Sequence, residues 1–122
     1  MKSLEKESLK YDLPSLKKLQ EKRNQNIMLF EQSIRNERAA LQQEEIVEAT
    51  LEHKIKMHNL GVMKLSDTDN HLVLLALPKV QSTRERRNQT IILLKAAIIE
   101  EQNSMDHEER MIAFLESHDS KK

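Results

Sequence analysis

The sequence contains no cysteine, a single glycine, two prolines and three aromatic residues, Tyr11, Phe30 and Phe114. Without cysteine there is no disulfide scaffold, no thiolate zinc site and no cysteine nucleophile. One glycine, Gly61, cannot build a loop that cradles phosphate. Three scattered aromatics offer no stacking platform for single-stranded nucleic acid. A sheet protein would need turn residues every ten or so positions, and they are missing. Net charge is absent too: 20 basic and 20 acidic residues cancel, so bulk charge draws the chain neither to nucleic acid nor to an anionic membrane. No segment approaches the roughly eighteen consecutive apolar residues of a membrane span. The N-terminus, with Glu5 and Glu7 among its first residues, lacks the apolar stretch of a secretory signal. A soluble intracellular protein is therefore expected, with nothing to choose between cytoplasm and nucleus.

What is present is charge, leucine and repetition. Charged residues make up 33% of the chain, and with so few helix breakers this is the composition of long helices or coiled coils. Leu13-Pro14 recurs as Leu77-Pro78, and Arg23-Asn24-Gln25 recurs as Arg87-Asn88-Gln89, both 64 residues on. Laying 13–52 over 77–116 without a gap gives fifteen identities in forty positions, where chance would give roughly three. A repeat is usually one supersecondary unit that buries its apolar face against its twin. The expected organisation is a single helical unit over 1–122: repeat 1 at 1–58, a linker at 59–66 and repeat 2 at 67–122.

Within that frame the sequence predicts an all-α antiparallel hairpin of two long helices, resembling a coiled coil or helical bundle, with a short accessory helix before each. Residues 3–11 supply the first accessory helix. Pro14 suits the opening turn of a long helix, where proline is tolerated. From Ser15 to about His58 neither glycine nor proline intervenes, and Ile27, Phe30, Ile34 and Leu41 recur at the spacing of one face. Gly61 or Asn59 suits a helix C-cap, and Ser66 or Asp67 an N-cap. The apolar run 71–77 reads as a second short helix, broken or kinked near Pro78. The second long helix then runs from about Pro78 to about Ser117, with Ile91, Leu94, Ile98, Met105 and Ile112 as its stripe.

Two long helices joined by about a dozen residues are almost forced to run antiparallel. Charge agrees, since each repeat begins basic and ends acidic, against the preference of the helix dipole. Antiparallel pairing sets each basic half beside the other repeat's acidic half. If facing positions sum to about 132, Ile34 faces Ile98, Ile27 faces Met105 and Leu41 faces Ile91. The same register brings Arg23 near Glu109 and Arg87 near Glu45. The repeated Arg-Asn-Gln segments have two readings: a polar layer that fixes register, or an arginine fork for a partner's carboxylate or phosphate.

The apolar surface exceeds what a two-helix seam needs. Met28, Leu29 and Phe30, with Ile92, Leu93 and Leu94, extend around most of each helix, whereas a coiled coil requires only a narrow stripe. The surplus awaits the accessory helices, a second copy or another protein, and these six residues are the expected protein-interaction site.

Chemistry is otherwise missing. His53 and His58 are five apart and point in different directions, and none of the five histidines follows a glutamate at the spacing of a helical metal site. Glu44-Glu45 and Glu108-Glu109 are adjacent, so they diverge by about 100° on a helix and form no acid–base pair by that fact. No catalytic residue, metal or cofactor is expected. The function expected is a non-catalytic scaffold or adaptor that binds protein partners or itself, as a homo-oligomer or a subunit of a larger coiled-coil complex. The alternative is a nucleic-acid-associated helical protein using the basic clusters that open each long helix.

Overall fold

In the computed structural model the described residues are 3–120, with side chains described for 3–118. They form three helices, α1 (Ser3–Ser8), α2 (Leu13–Asn59) and α3 (Asp67–Ser120), and the two long ones pack against each other. Among the described residues no helix is long and apolar enough to cross a membrane.

Helix boundaries follow local chemistry. Asp12 caps α2, its Oδ1 accepting the Ser15 backbone amide at 2.8 Å, and Pro14 lies in the first turn, where a missing N–H costs nothing. That amide bond holds the Asp12 carboxyl below its ordinary pKa. At the other end Gly61 adopts φ +72°, the left-handed turn that glycine takes freely. The Val62 amide then reaches the Met57 carbonyl at 3.1 Å, and the Gly61 amide reaches that of His58 at 3.1 Å, a Schellman closure. The connection is pinned again by the Leu65 amide donating to His58 Nδ1 at 3.0 Å. Ser66 caps α3, its Oγ accepting the Asp69 amide at 3.1 Å.

The expected break near Pro78 does not occur. Residues 71–77 are not a separate accessory helix, and α3 runs unbroken from Asp67 with Pro78 inside it. An interior proline costs a helix about 3 kcal/mol, yet here nothing offers the chain a better ending. Sixty-four residues before, Asp12 caps a restart; its counterpart is Ala76, which has no side-chain acceptor. Val73, Leu77 and Val80 are half-buried around the proline, and their cover offsets its cost.

Both long helices present one seam. On α2 the covered positions include Leu13, Leu16, Gln20, Arg23, Ile27, Phe30 and Ile34, continuing in alternating steps of three and four to His58. On α3 the same steps run from Asn70 through Leu77, Arg84, Ile91 and Ile98 to Leu115. This is the seven-residue spacing of a coiled coil.

The chain divides into two compact units, each drawing on both long helices: Met1–Ser33 with Leu94–Lys122, and Ile34–Leu93. In the first unit Lys17 pairs with Glu116 at 3.6 Å and Arg23 with Glu108 at 2.8 Å, so position falls along α3 as it rises along α2 and the helices are antiparallel. Its core is Leu16, 0% exposed, and Met111, 3%. Beside them lies α1: its Glu7 lines one cavity with Leu16, Glu108 and Met111, and its Ser8 is fully buried, the Oγ donating to the Leu4 carbonyl at 2.6 Å. Glu7 of α1 meets His107 Nε2 of α3 at 3.1 Å. In the second unit Arg84 pairs with Glu48, and Arg87 with Glu44 at 2.6 Å, which is again antiparallel. Ile34 and Ile91 are its buried residues.

Candidate interaction site

Two sets of side chains stand out: the charged layers set into the seam, and the apolar side chains outside it.

The charged layers are built from arginines at seam positions. Arg23 Nε donates to both carboxylate oxygens of Glu108, at 2.8 and 2.9 Å, and its Nη1 reaches Glu101 at 3.3 Å. Arg87 Nε donates to Glu44 at 2.6 Å and its Nη1 to Glu37 at 3.2 Å. Arg84 adds Glu48 and, at 3.3 Å, Glu45. Glu108 retains only 6% of its side-chain surface and Arg23 retains 26%. The glutamate bonds, first of all, push each guanidinium further above its ordinary pKa, so these arginines are cations throughout the accessible pH range. The second unit is less complete: Glu44 Oε2 and Arg84 Nε are enclosed without a hydrogen-bond partner.

The pairing lies one step from the expected register. Arg23 meets Glu108 rather than Glu109, and Arg87 meets Glu44 rather than Glu45, which serves Arg84 instead. The physical reason is heptad position. Glu37 and Glu44 lie fourteen and twenty-one residues after Arg23, and Glu101 and Glu108 the same distances after Arg87. All are multiples of seven, so these glutamates share the arginines' column on the seam, while Glu109 points outward and is exposed. The signal for Glu37, Glu44, Glu101 and Glu108 was thus in the sequence. It is seen only when charged residues are counted along the seam together with apolar ones.

Of the apolar register positions, Ile34 and Ile91 are buried, and Ile27, Leu41, Ile98 and Met105 are half-buried. The six expected interaction residues divide. Phe30 and Leu94 are half-buried seam residues, so part of their surface is already committed to the hairpin. Met28 and Leu29 in the first unit are 67% and 65% exposed, and Ile92 and Leu93 in the second are 65% and 70% exposed. A further cluster stands at the turn end of the second unit. There Leu60, Val62, Met63, Leu72, Leu74 and Leu75 are all exposed, beside a 420 Å3 groove lined by Glu52, Ile55, Lys56, Asn59, Leu60 and Leu77. In the sequence this cluster is hidden because residues 71–77 read as an accessory helix that covers the long ones, whereas they belong to α3.

Among the described residues no group of three or more His, Asp or Glu side chains is placed to hold a metal ion. Comparison with protein-family models, with curated proteins and with solved structures found no match.

Proposed function

We propose that this chain is a non-catalytic helical assembly protein that works through apolar helix-to-helix contacts, by self-association or as a small subunit of a larger coiled-coil complex. On this reading it is a tandem hairpin, two copies of one helical segment of about 64 residues paired antiparallel. The observation that carries the reading is the exposure of Met28, Leu29, Ile92 and Leu93 at 65–70%. These are large apolar side chains in neighbouring pairs at equivalent positions of the two copies, where a lone hairpin has no use for them. The charged layers support the same reading from the other side. Arg23, Arg84 and Arg87 already have glutamate partners, which leaves the hairpin's register fixed and its outer faces to carry recognition.

The test is the salt dependence of association. Apolar assembly should hold or strengthen between about 50 and 500 mM salt. Steep loss of binding over that range, with a nucleic-acid ligand retained only at low salt, would instead indicate phosphate recognition by the basic clusters around Lys18, Lys22, Lys79 and Arg86.

A further inference from the structure

Residues 3–8 are helical as α1, and residues 67–72, 64 further on, are helical as the start of α3, so the same stretch of the two copies is helical in both. The outcomes then diverge. In the first unit the chain turns after Ser8 and restarts at Leu13 under the Asp12 cap, and α1 is left against α3, its Glu7 bonded to His107 at 3.1 Å and lining one cavity with Leu16 and Met111. In the second unit it runs straight on through Pro78. The positions beside α1 in one unit are therefore less covered in the other. Met111 is 3% exposed and its counterpart Val47 is 46% exposed; Leu16 is fully buried and its counterpart Val80 is half-buried. Glu108, beside α1, has both oxygens bonded, while its counterpart Glu44 has one oxygen enclosed and unbonded. Conversely, the α3 residues that correspond to α1 and the turn after it include Leu72, Leu74 and Leu75, all about half exposed or more.

We propose that the first turns of α3, residues 67–75, are a strap that closes over Val47 and Val80 when the helix opens ahead of Pro78, as α1 lies beside Met111 and Leu16. The inference rests on the tandem reading above. Opening at this point is favoured locally because Pro78 has no N–H for the Leu74 carbonyl and its ring crowds that carbonyl. Closure exchanges the seam cover of Asn70, Val73 and Leu77 for cover of the exposed leucines against Val47. The chain can reach. In the closed arrangement His71 takes the place beside Gln43 that Glu7 takes beside His107. The stretch from Asn59 to His71 reaches about 40 Å drawn out, against about 24 Å back along α2, so closure needs only the strap's first turn to extend.

The chain has no cysteine, so one engineered pair reports closure: Val47→Cys with Leu72→Cys, the counterparts of Met111 and Ser8. In the extended helix these positions are about 18 Å apart along α2, beyond the roughly 7 Å a disulfide allows between Cα atoms. The expected result is an intrachain disulfide in the 122-residue chain, formed about fivefold faster when Ala76→Asp supplies the missing cap and more slowly with Pro78→Ala. Hydrogen exchange at residues 74–79 is read in parallel. Faster exchange in Ala76→Asp without an intrachain disulfide overturns the strap and leaves the tandem reading intact. Disulfides only between chains overturn it equally. A second variant, Asp12→Ala, addresses the tandem reading itself: it should let α1 run into α2, separating a spin label at Glu7 from one at His107, which meet at 3.1 Å. If those labels stay together, the cap does not set the difference between the copies, and the basis of the strap fails with it.

Discussion

Arg87 makes to Glu44 and Glu37 the contacts that Arg23 makes to Glu108 and Glu101: Nε to the nearer glutamate, Nη1 to the one seven residues before it. The two arginines lie 64 residues apart, as do the members of each corresponding glutamate pair. A charged layer of this kind is a poor source of net stability, because desolvation offsets attraction. It is a good source of register, because any slip leaves an arginine among apolar side chains.

Truncating Arg23 strands Glu108 with little water to solvate it. Arg23→Ala should destabilise the chain by about 2 kcal/mol, below the range for fully enclosed pairs because Arg23 retains a quarter of its surface. Replacing both partners, as Arg23→Met with Glu108→Leu, should restore most of that loss. Urea unfolding of the three variants at neutral pH measures it. A double variant less stable than Arg23→Ala would contradict the layer's role.

The observed register makes a sharper cycle than the expected one. The coupling energy between Arg23→Ala and Glu108→Ala should be about 1–2 kcal/mol, and that between Arg23→Ala and Glu109→Ala near zero. Equal couplings would mean that the pairing is diffuse.

Apolar register is tested within each unit. Cysteines at Ile27 and Met105, or at Leu41 and Ile91, should join through a short bifunctional maleimide, since packed helices lie about 8–10 Å apart. Moving one cysteine of each pair by seven residues should abolish the product.

The Asp12 cap predicts an acid effect local to the start of α2. Because the Ser15 amide lowers the Asp12 pKa in the folded chain, its contribution is present above the ordinary carboxylate value of about 4 and is lost as pH falls through the lower folded value. The Ser15 amide should shift upfield and lose exchange protection over that window, while Asp12→Asn should hold it nearly constant.

Much of this fold was legible in the residues. The apolar stripe, the basic-to-acidic run of each repeat and the sparse breakers imply two long antiparallel helices, and Gly61 and Ser66 mark the turn. Pro78 was misleading because a proline ends a helix only where something else can begin, and Ala76 offers no cap where Asp12 does. The glutamate partners were misplaced by one because Glu108 and Glu109 are both acidic, and only column position on the seam separates them. Phe30 and Leu94 read both as seam positions and as part of the surplus apolar surface, and both are half-buried. In runs such as Ile27–Phe30 and Ile91–Leu94 every residue is apolar, so composition alone does not say which of them turn inward.

The proposal that the exposed apolar pairs are association surfaces is tested most directly by sedimentation of the 122-residue chain beside Leu29→Glu and Leu93→Glu. Alone or with a captured partner, the parent should sediment as an assembly. Each variant should keep its helicity and fall to the mass of a single chain, because an unpaired carboxylate at an interface costs several kcal/mol. Variants with unchanged mass, helicity and partner binding would show that these faces meet only water, and the assembly reading would be contradicted.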